Sequence, residues 1–364
     1  MKIRSQFALL AVSIPMFCDA ESPSDIVTEC VGNLDIGFPS EVEVAANSAD
    51  MLIKEHDVGA IQPAFEFPDG EKSGWPSMHY HGKLFTSHVL NDKQRTQMFR
   101  LQEKMKATAK QFASNQDKKD KSASFGDVNI APASGVAFHV GGSFSASVFT
   151  HGHMLWLQTS VADSETAKYK KDLADFVKNL SYRPIGHVPK SQGLCFPYFF
   201  AGVEPSGNAN RRKISAMYRL KQHPDITIWV EDSDATVSAE DKSEKGDSPR
   251  DRINEFWTQY ENSPGIEKIE SEWSLPSGRK VAIGKNDGLA SFVRINRKGG
   301  VVDYGYMATA HGDARKKGKA SNVDLFVIRR SENAKAKGIT PVTAEEFVKL
   351  SQEIVSTIRI RTDL

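Results

Sequence analysis

The 364-residue chain has little cysteine and no excess of either charge. Three cysteines are too few for a disulfide-dense scaffold or for a zinc module built on cysteine ligands. Lys and Arg total 47 against 46 Asp and Glu, so the net charge is close to zero. Proteins that grip nucleic acid usually carry a strong basic excess, and this balance therefore excludes nucleic acid from the expected partners.

Long apolar runs are missing beyond the N-terminus. Residues 1–20 combine a basic start, an apolar stretch from Phe7 to Cys18 and small residues up to Ala20, which is the pattern of a secretory signal peptide. The apolar stretch is shorter than the roughly 20 residues that a membrane-spanning helix needs. We therefore expect a cleaved export signal and no stable membrane insertion.

The common catalytic motifs are also missing. The sequence contains no Gly-x-Ser-x-Gly nucleophile elbow, no His-Glu-x-x-His zinc motif and no phosphate-binding Gly-x-x-x-x-Gly-Lys-Ser/Thr loop. We therefore expect a protein that is not an enzyme and that holds no cofactor.

Two His-x-His motifs, His79-Tyr-His81 and His151-Gly-His153, are the best candidates for metal chemistry. Residues two apart on a strand point to one face, so each pair could offer two imidazoles to a metal ion. Half-exposed strand histidines are the commoner explanation of such pairs. The metal interpretation keeps open an alternative function, a periplasmic metal-dependent hydrolase.

Amphipathic helices and short β-rich runs are mixed without regular strand–helix alternation. Helices are indicated over 91–114, after a cap at Ser164, after Ser248-Pro249 and from the capping box Thr343–Glu346. Alternating or β-branched runs predict strands over 136–140, 153–159, 213–220, 225–231, 279–284, 290–296, 301–308 and 323–329. This pattern favours an α+β fold in which helices pack on antiparallel sheets.

A weak internal repeat divides the chain. Residues 172–184 and 350–361 each join an amphipathic helix to a short basic tail, and a cysteine, Cys30 or Cys195, stands near a strand at the start of each half. In an oxidising compartment these two cysteines could form one disulfide, and two separately buried thiols are the alternative. The spacing does not decide between the two.

The repeat predicts a signal peptide (1–20) followed by two similar α+β domains, 21–187 and 188–364. The first domain carries 17 basic and 21 acidic side chains, and the second carries 28 and 24. Opposite net charges of −4 and +4 favour closure of the two domains or a partner with a polarised surface.

Several short motifs follow one another along most of the mature chain. They are Glu29-Cys-Val-Gly-Asn33, Ile36-Gly-Phe-Pro39, Ser181-Tyr-Arg-Pro184, Gly193-Leu-Cys195, His223-Pro-Asp225, a helix near Arg252, Lys280-Val-Ala-Ile-Gly284 and Ser356-Thr-Ile-Arg359. In this order the chain resembles the immunity proteins that protect bacteria from phospholipase effectors of the type VI secretion system. The family in question is cognate to the fourth class of those lipases.

The resemblance implies a periplasmic protein that binds a cognate lipase effector and blocks it. Its two domains would form a clamp around the active-site entrance and lid, with no chemistry of their own. Two polar stretches, 231–252 and 313–322, are predicted contact loops, with solvated turns as the alternative. Within them we single out Asp232, Asp234, Arg250, Arg315, Lys316 and Lys317. A cell-envelope scaffold without a toxin partner is a third possibility.

Overall fold

The computed structural model describes residues 26–56, 64–74, 77–117, 124–202, 212–235, 248–273, 278–313 and 320–361. The predicted signal peptide, 1–20, lies outside these ranges. The helices are α1 (Ala49–His56), α2 (Asp92–Asp117), α3 (Thr166–Lys178), α4 (Pro249–Glu261), α5 (Ser331–Ala336) and α6 (Ala344–Thr357).

The first eleven strands are β1 (Val27–Val31), β2 (Leu34–Phe38), β3 (Val42–Val44), β4 (Ala46–Asn47), β5 (Phe65–Glu66), β6 (Met78–His79), β7 (Lys83–Thr86), β8 (Phe125–Asp127), β9 (Ser134–Val140), β10 (Ser143–Thr150) and β11 (His153–Ser160). The other eleven are β12 (Leu180–Tyr182), β13 (Leu194–Phe196), β14 (Phe199–Ala201), β15 (Lys213–Leu220), β16 (Ile226–Asp234), β17 (Ile266–Ser271), β18 (Arg279–Ile283), β19 (Asn286–Arg297), β20 (Val302–Ala310), β21 (Ser321–Arg329) and β22 (Arg359–Ile360).

Local capping chemistry starts two of the helices where the sequence predicts. The Ser248 side chain accepts a hydrogen bond from the Asp251 amide at the start of α4. Thr343 and Glu346 form a reciprocal capping box at the start of α6. The cap predicted at Ser164 is wrong, because this residue lies in a short 3-10 turn and α3 begins after Glu165 without a side-chain cap.

Within the described ranges, fourteen strands form one sheet that both halves of the chain build together. Its order is β17-β19-β20-β21-β16-β15-β6-β7-β11-β10-β9-β8, with β18 beside β19 and β3 beside β15. The junction lies at β15, where Lys213 pairs with His79 of β6 and Tyr218 pairs with Val44 of β3. The predicted α+β class with antiparallel sheets is confirmed, and hydrogen bonds cross the predicted boundary at 187/188.

Each face of this sheet carries helices from both halves. On one face α2 covers Phe85, Met154 and Trp156, and α4 covers Met307 and Phe326. On the opposite face, the main core includes Leu173 and Phe176 of α3 with Phe347 and Ile354 of α6. We call the first the α2–α4 face. The two halves thus share a plan, in which one helix packs on each side of an antiparallel sheet.

The small sheets exchange strands between the halves. The hairpin β1–β2 opens the first half, yet it pairs with β22 at the end of the second half. The hairpin β13–β14 opens the second half, and it pairs with β12 at the end of the first half. The helix-and-tail repeat seen in the sequence is therefore a reciprocal exchange of terminal strands.

A disulfide and two buried arginines join the exchanged strands. Cys30 of β1 is bonded to Cys195 of β13, with Cα atoms 5.6 Å apart. The Arg183 guanidinium, 1% exposed, donates to Glu29 at 2.7 Å. Arg361, 2% exposed, donates to the Cys195 sulfur at 3.2 Å and to the Ser191 carbonyl at 2.6 Å. We call this set of contacts the exchange junction.

Removing the disulfide should destabilise the chain measurably. The bond closes a 165-residue loop between the halves, so Cys30→Ala should lower the free energy of unfolding by about 2–4 kcal/mol. Urea unfolding of the mature protein measures this difference. Cys195→Ala and the double variant should match Cys30→Ala, because each breaks the same bond. Wild-type midpoints in all three variants would contradict the expectation.

Candidate functional site

In the described part of the chain, no helix covers the stretch of the α2–α4 face that lies between α2 and α4. In that gap β6, β7, β15 and β16 lie side by side, and α2 packs over β8 and β9 while α4 packs over β17, β19 and β20. The side chains on the surface of this gap are part-exposed or exposed. They are His79, Lys83, Lys213, Met217, Trp229 and Ser233. We call this surface the saddle, because both halves build it and a helix borders each side.

Strand register aligns the saddle's polar side chains in one row. Directly paired residues of antiparallel strands point to the same face. The successive pairs join Gln158 to Lys83, Lys83 to His79, His79 to Lys213, Lys213 to Ser233 and Ser233 to Asn322. The row thus crosses six strands from both halves. Lys83 and His79 are close together in the sequence, but the row as a whole spans 244 positions, from 79 to 322.

A second row contributes an apolar anchor to the saddle. Met217 pairs with Trp229, which pairs with Phe326 in the cluster beneath α4. Trp229 is part-exposed, so its ring belongs both to the α4 core and to the saddle. Large aromatic side chains beside polar groups are the usual anchors of protein–protein interfaces.

The buried aspartates beside the saddle stabilise the fold. Asp232 is fully buried, and its carboxylate receives the Arg212 Nε at 2.7 Å and the Asn33 amide at 2.6 Å. Asp234 accepts Arg212 Nη1 at 2.9 Å. Asp232 therefore has no exposed surface with which to make the predicted partner contact. Asp234 is held by the same guanidinium.

The two predicted contact loops leave the sheet side by side. Asp234 pairs with Ser321, and the Ala235 amide donates to the Ala320 carbonyl at 3.3 Å. Arg212 also donates to the Ser321 hydroxyl at 3.0 Å, so one guanidinium anchors the bases of both loops. Of the singled-out cations, Arg250 is exposed at the start of α4. Arg315, Lys316 and Lys317 lie outside the described residues.

The His-x-His motifs do not form the strand pairs that a shared metal site requires. His79 and His153 lie on strands, but His81 (φ 56°) and His151 (φ 48°) occupy left-handed turns. The members of each motif therefore do not share one strand face. The two motifs also lie apart, since His153 is five residues along β11 from the position facing Lys83, about 17 Å.

The described ranges contain no group of three or more His, Cys, Asp or Glu side chains placed to hold a metal ion. His153 stacks on Tyr198 with ring centroids 4.0 Å apart, and His151 stacks on Tyr182 at 4.5 Å. His153 thereby packs the first half against Tyr198 of the second half, and His151 packs on Tyr182 at the end of its own half. The stacking explains them without metal chemistry.

A polar cleft of about 410 Å³ lies beside one end of the saddle. His81, Glu165, Lys168, Tyr169 and Asp172 line it. The Tyr169 hydroxyl donates to the His81 carbonyl. Burial lowers the pKa of His81 to about 4, against a smaller opposing effect of Asp172. The His81 imidazole is therefore neutral at pH 7.

An apolar groove of about 520 Å³ runs between α2 and β9–β10. Met105, Ala109 and Phe112 of α2 line one side, and Phe138 and Phe144 line the other. Phe112 is 52% exposed and Phe99, on the same helix, 42%. Apolar surface of this kind marks contact sites in soluble proteins. No helix in the described part of the chain combines the length and apolar character needed to cross a bilayer.

Sequence reasoning missed the saddle. Alternation along β15 indicates that Lys213, Ser215 and Met217 share a face, but it does not show which strands lie beside them. The pairing of Lys213 with His79 joins residues 134 positions apart. A prediction of that pairing would have needed the sheet order.

Comparisons with known proteins relate the chain to one group. Residues 187–363 match a family model described as the Tle cognate immunity protein 4 C-terminal domain. The match starts one residue before the predicted second domain. A search of curated proteins gave no match.

Solved structures share the fold over nearly the whole chain. The apo immunity protein TplEi of T6SS from Pseudomonas aeruginosa is 13% identical with a TM-score of 0.53, covering 92% of this chain and 97% of that one. TplEi complexed with "L" peptide is 14% identical with a TM-score of 0.51, and the similarity covers 93% of this chain and 99% of that one. The matched chain of the Tle4–Tli4 complex is 13% identical with a TM-score of 0.55, and the similarity covers 93% of this chain and 99% of that one.

Arg212 should be essential for stability and Arg250 should not. Arg212→Met leaves Asp232 buried without its counter-ion, so we expect a loss of about 3–5 kcal/mol in unfolding free energy. Arg250→Met removes an exposed charge and should change the free energy of unfolding by less than about 0.5 kcal/mol. Urea unfolding at pH 7 compares the two variants. Equal losses would show that the buried pair is not what holds this end of the sheet.

His81 should make stability depend on pH in mildly acidic solution. Its pKa is about 4 in the folded chain against 6.5 as the ordinary value, so the unfolded chain binds the proton first. Stability should therefore fall as pH drops from about 6.5 to 4, by up to about 3 kcal/mol from this group. His81→Asn, which tolerates the left-handed turn, should flatten that part of the profile. Identical profiles for variant and wild type would contradict this assignment.

Proposed function

Because the chain belongs, through residues 187–363, to the Tle cognate immunity protein 4 family, we propose that it is the periplasmic inhibitor of a type VI secreted phospholipase effector. The inhibitor binds the effector and occludes its active-site entrance and lid. The family consists of immunity proteins and not of enzymes, and the chain itself performs no reaction. The family match is the observation that carries this proposal.

A rigid, two-lobed surface supports inhibition by occlusion. The continuous sheet, the disulfide and the exchanged strands hold α2 and α4 on one face on either side of the saddle. A surface that is already in its binding conformation loses little conformational entropy when the partner docks. The two lobes, held on either side of the saddle, act as the clamp.

The composition of the surface also suits a stable inhibitor. The saddle joins an aromatic anchor at Trp229 to a polar row, and the apolar groove beside α2 extends the same face. Such a combination of apolar anchor and polar surround is the normal anatomy of a protein interface.

Two observations support export. The first is the N-terminal pattern of residues 1–20, which is that of a cleaved signal peptide. The second is the Cys30–Cys195 disulfide, since such bonds persist in the oxidising periplasm and are rare in the cytoplasm. An inhibitor in the periplasm would meet a phospholipase where its membrane substrate is exposed.

A survival assay tests the function and the compartment together. A lipase encoded beside this gene is directed to the periplasm and expressed with the full chain or with a chain lacking residues 1–20. We expect survival with the full chain alone, because the shortened chain stays in the wrong compartment. Replacing the lipase's catalytic serine is the toxicity control.

Binding is measured separately with the purified mature chain and the same lipase. A one-to-one complex that abolishes phospholipid hydrolysis supports the proposal. Death of cells that carry the full chain, or survival without export, contradicts it.

A further inference from the structure

The apolar groove beside α2 exists because small side chains meet beneath the second half of that helix. Near the start of α2, Met98 is fully buried in the cluster that also holds Trp156. Further along, the helix carries Ala109, and β10 carries Ser143 and Ser145. These side chains are too small to fill the space, so a groove of about 520 Å³ remains between α2 and strands β9 and β10.

The walls of this groove are mainly apolar. Met105, Phe112, Phe138 and Val140 provide its large side chains. The wall on α2 runs from Lys104 to Phe112, which is about 12 Å at the rise of an α-helix. Concave sites of this size with apolar walls and few polar groups are typical of small-molecule binding. The elongated wall suits a hydrocarbon chain.

The polar groups of the lining differ in whether they already have partners. The Ser145 hydroxyl accepts the Trp156 indole N–H at 3.0 Å, and the hydroxyls of Ser143 and Ser160 are hydrogen-bonded at 3.2 Å. Lys104 is exposed and is the one charged side chain among the described residues that line the groove. Within the described ranges no carboxylate pairs with its ammonium group.

The charges around Lys104 leave this end of the groove basic. Arg100 is exposed and lies one turn earlier on the same side of the helix. The carboxylate of Asp127 on β8 is held by the Lys106 ammonium at 2.7 Å. Glu103 is the residue before Lys104 and therefore projects about 100° away around the helix axis. An anionic group at Lys104 would thus meet attraction from two cations.

We propose that this groove binds one long-chain fatty acid, with its hydrocarbon chain between α2 and β9–β10 and its carboxylate at Lys104. The apolar wall selects the chain, and the ammonium at its start selects a single negative charge. Ester hydrolysis of phospholipids is the class of reaction that supplies such a ligand. The inference goes beyond the proposed function and stands on the groove alone.

Calorimetric titration of the purified mature chain with sodium dodecanoate tests the inference without any lipase. The ligand is kept below the concentration at which it forms micelles. We expect one-to-one binding. From octanoate to tetradecanoate, Kd should fall about fourfold for each added methylene and then level off when the groove is full. Dodecyltrimethylammonium has the same chain with a cationic head, and it should bind about tenfold more weakly.

Filling the groove should abolish the site. Ala109→Trp places a large ring inside the groove, so Kd for dodecanoate should rise at least about tenfold. Ala107→Trp is the matched control, because Ala107 is exposed on the same helix and does not line the groove. Phe112→Ser tests the wall independently of helix packing, since Phe112 is 52% exposed, and it should weaken binding about fivefold.

Removing the charge should change the preference for the head group. Lys104→Gln should raise Kd for dodecanoate about fivefold and should not weaken the binding of dodecyltrimethylammonium. Lys110→Gln removes an exposed lysine of α2 that does not line the groove, and it should leave both values unchanged. Urea midpoints at the wild-type value show that the variants differ in binding and not in folding.

Several results would overturn the inference. They are the absence of dodecanoate binding, equal binding by wild type and both groove variants (Ala109→Trp and Phe112→Ser), and equal affinity for the anionic and cationic ligands. Tighter binding of a lysophospholipid with the same chain would assign the groove to that ligand instead. If dodecanoate does not bind but Ala109→Trp weakens binding of the lipase, the groove belongs to the protein interface. In each case the immunity function stands or falls by its own assay.

Discussion

The exchange junction is the constraint on which the arrangement of the two halves depends, because the Cys30–Cys195 bond joins the halves and the buried Arg183–Glu29 pair fixes the end of the first half against its own first strand. An ionised arginine with 1% exposure is stable only beside a counter-ion, so the tail after α3 must lie against β1. The Cys30–Cys195 bond and Arg361 fix the complementary hairpin in the same region. Each half is thereby completed by strands of the other, and separating them would uncover two charged groups together with the core around them.

That junction explains why the α2–α4 face can serve as one binding surface. The halves meet at β15, where backbone hydrogen bonds continue the sheet from one half into the other. The helices on either side of the saddle therefore keep their separation without a partner. An inhibitor that works by occlusion benefits from such rigidity, because its binding energy is not spent on ordering the two lobes.

Features with a local cause were predictable. The caps at Ser248 and Thr343 follow from hydrogen bonds within one turn, and the strand predicted over 213–220 is observed with the same bounds. Predictions failed where a neighbour distant in sequence decides the outcome. Asp232 looked like part of a polar loop, but Arg212 and Asn33 bury it. His81 and His151 looked like strand residues, but tight turns place them in left-handed conformations.

The sequence by itself determined the α+β class, the repeat of helix and basic tail, and the resemblance to an immunity family. These follow from periodicity, capping residues and the order of motifs, which are properties of neighbouring positions. Only the tertiary structure decided that the repeated tails exchange partners, that Cys30 meets Cys195, and that Lys83, His79 and Lys213 share a row. Strand order and register set those contacts, and pairs such as 79 with 213 leave no local pattern by which they could be recognised.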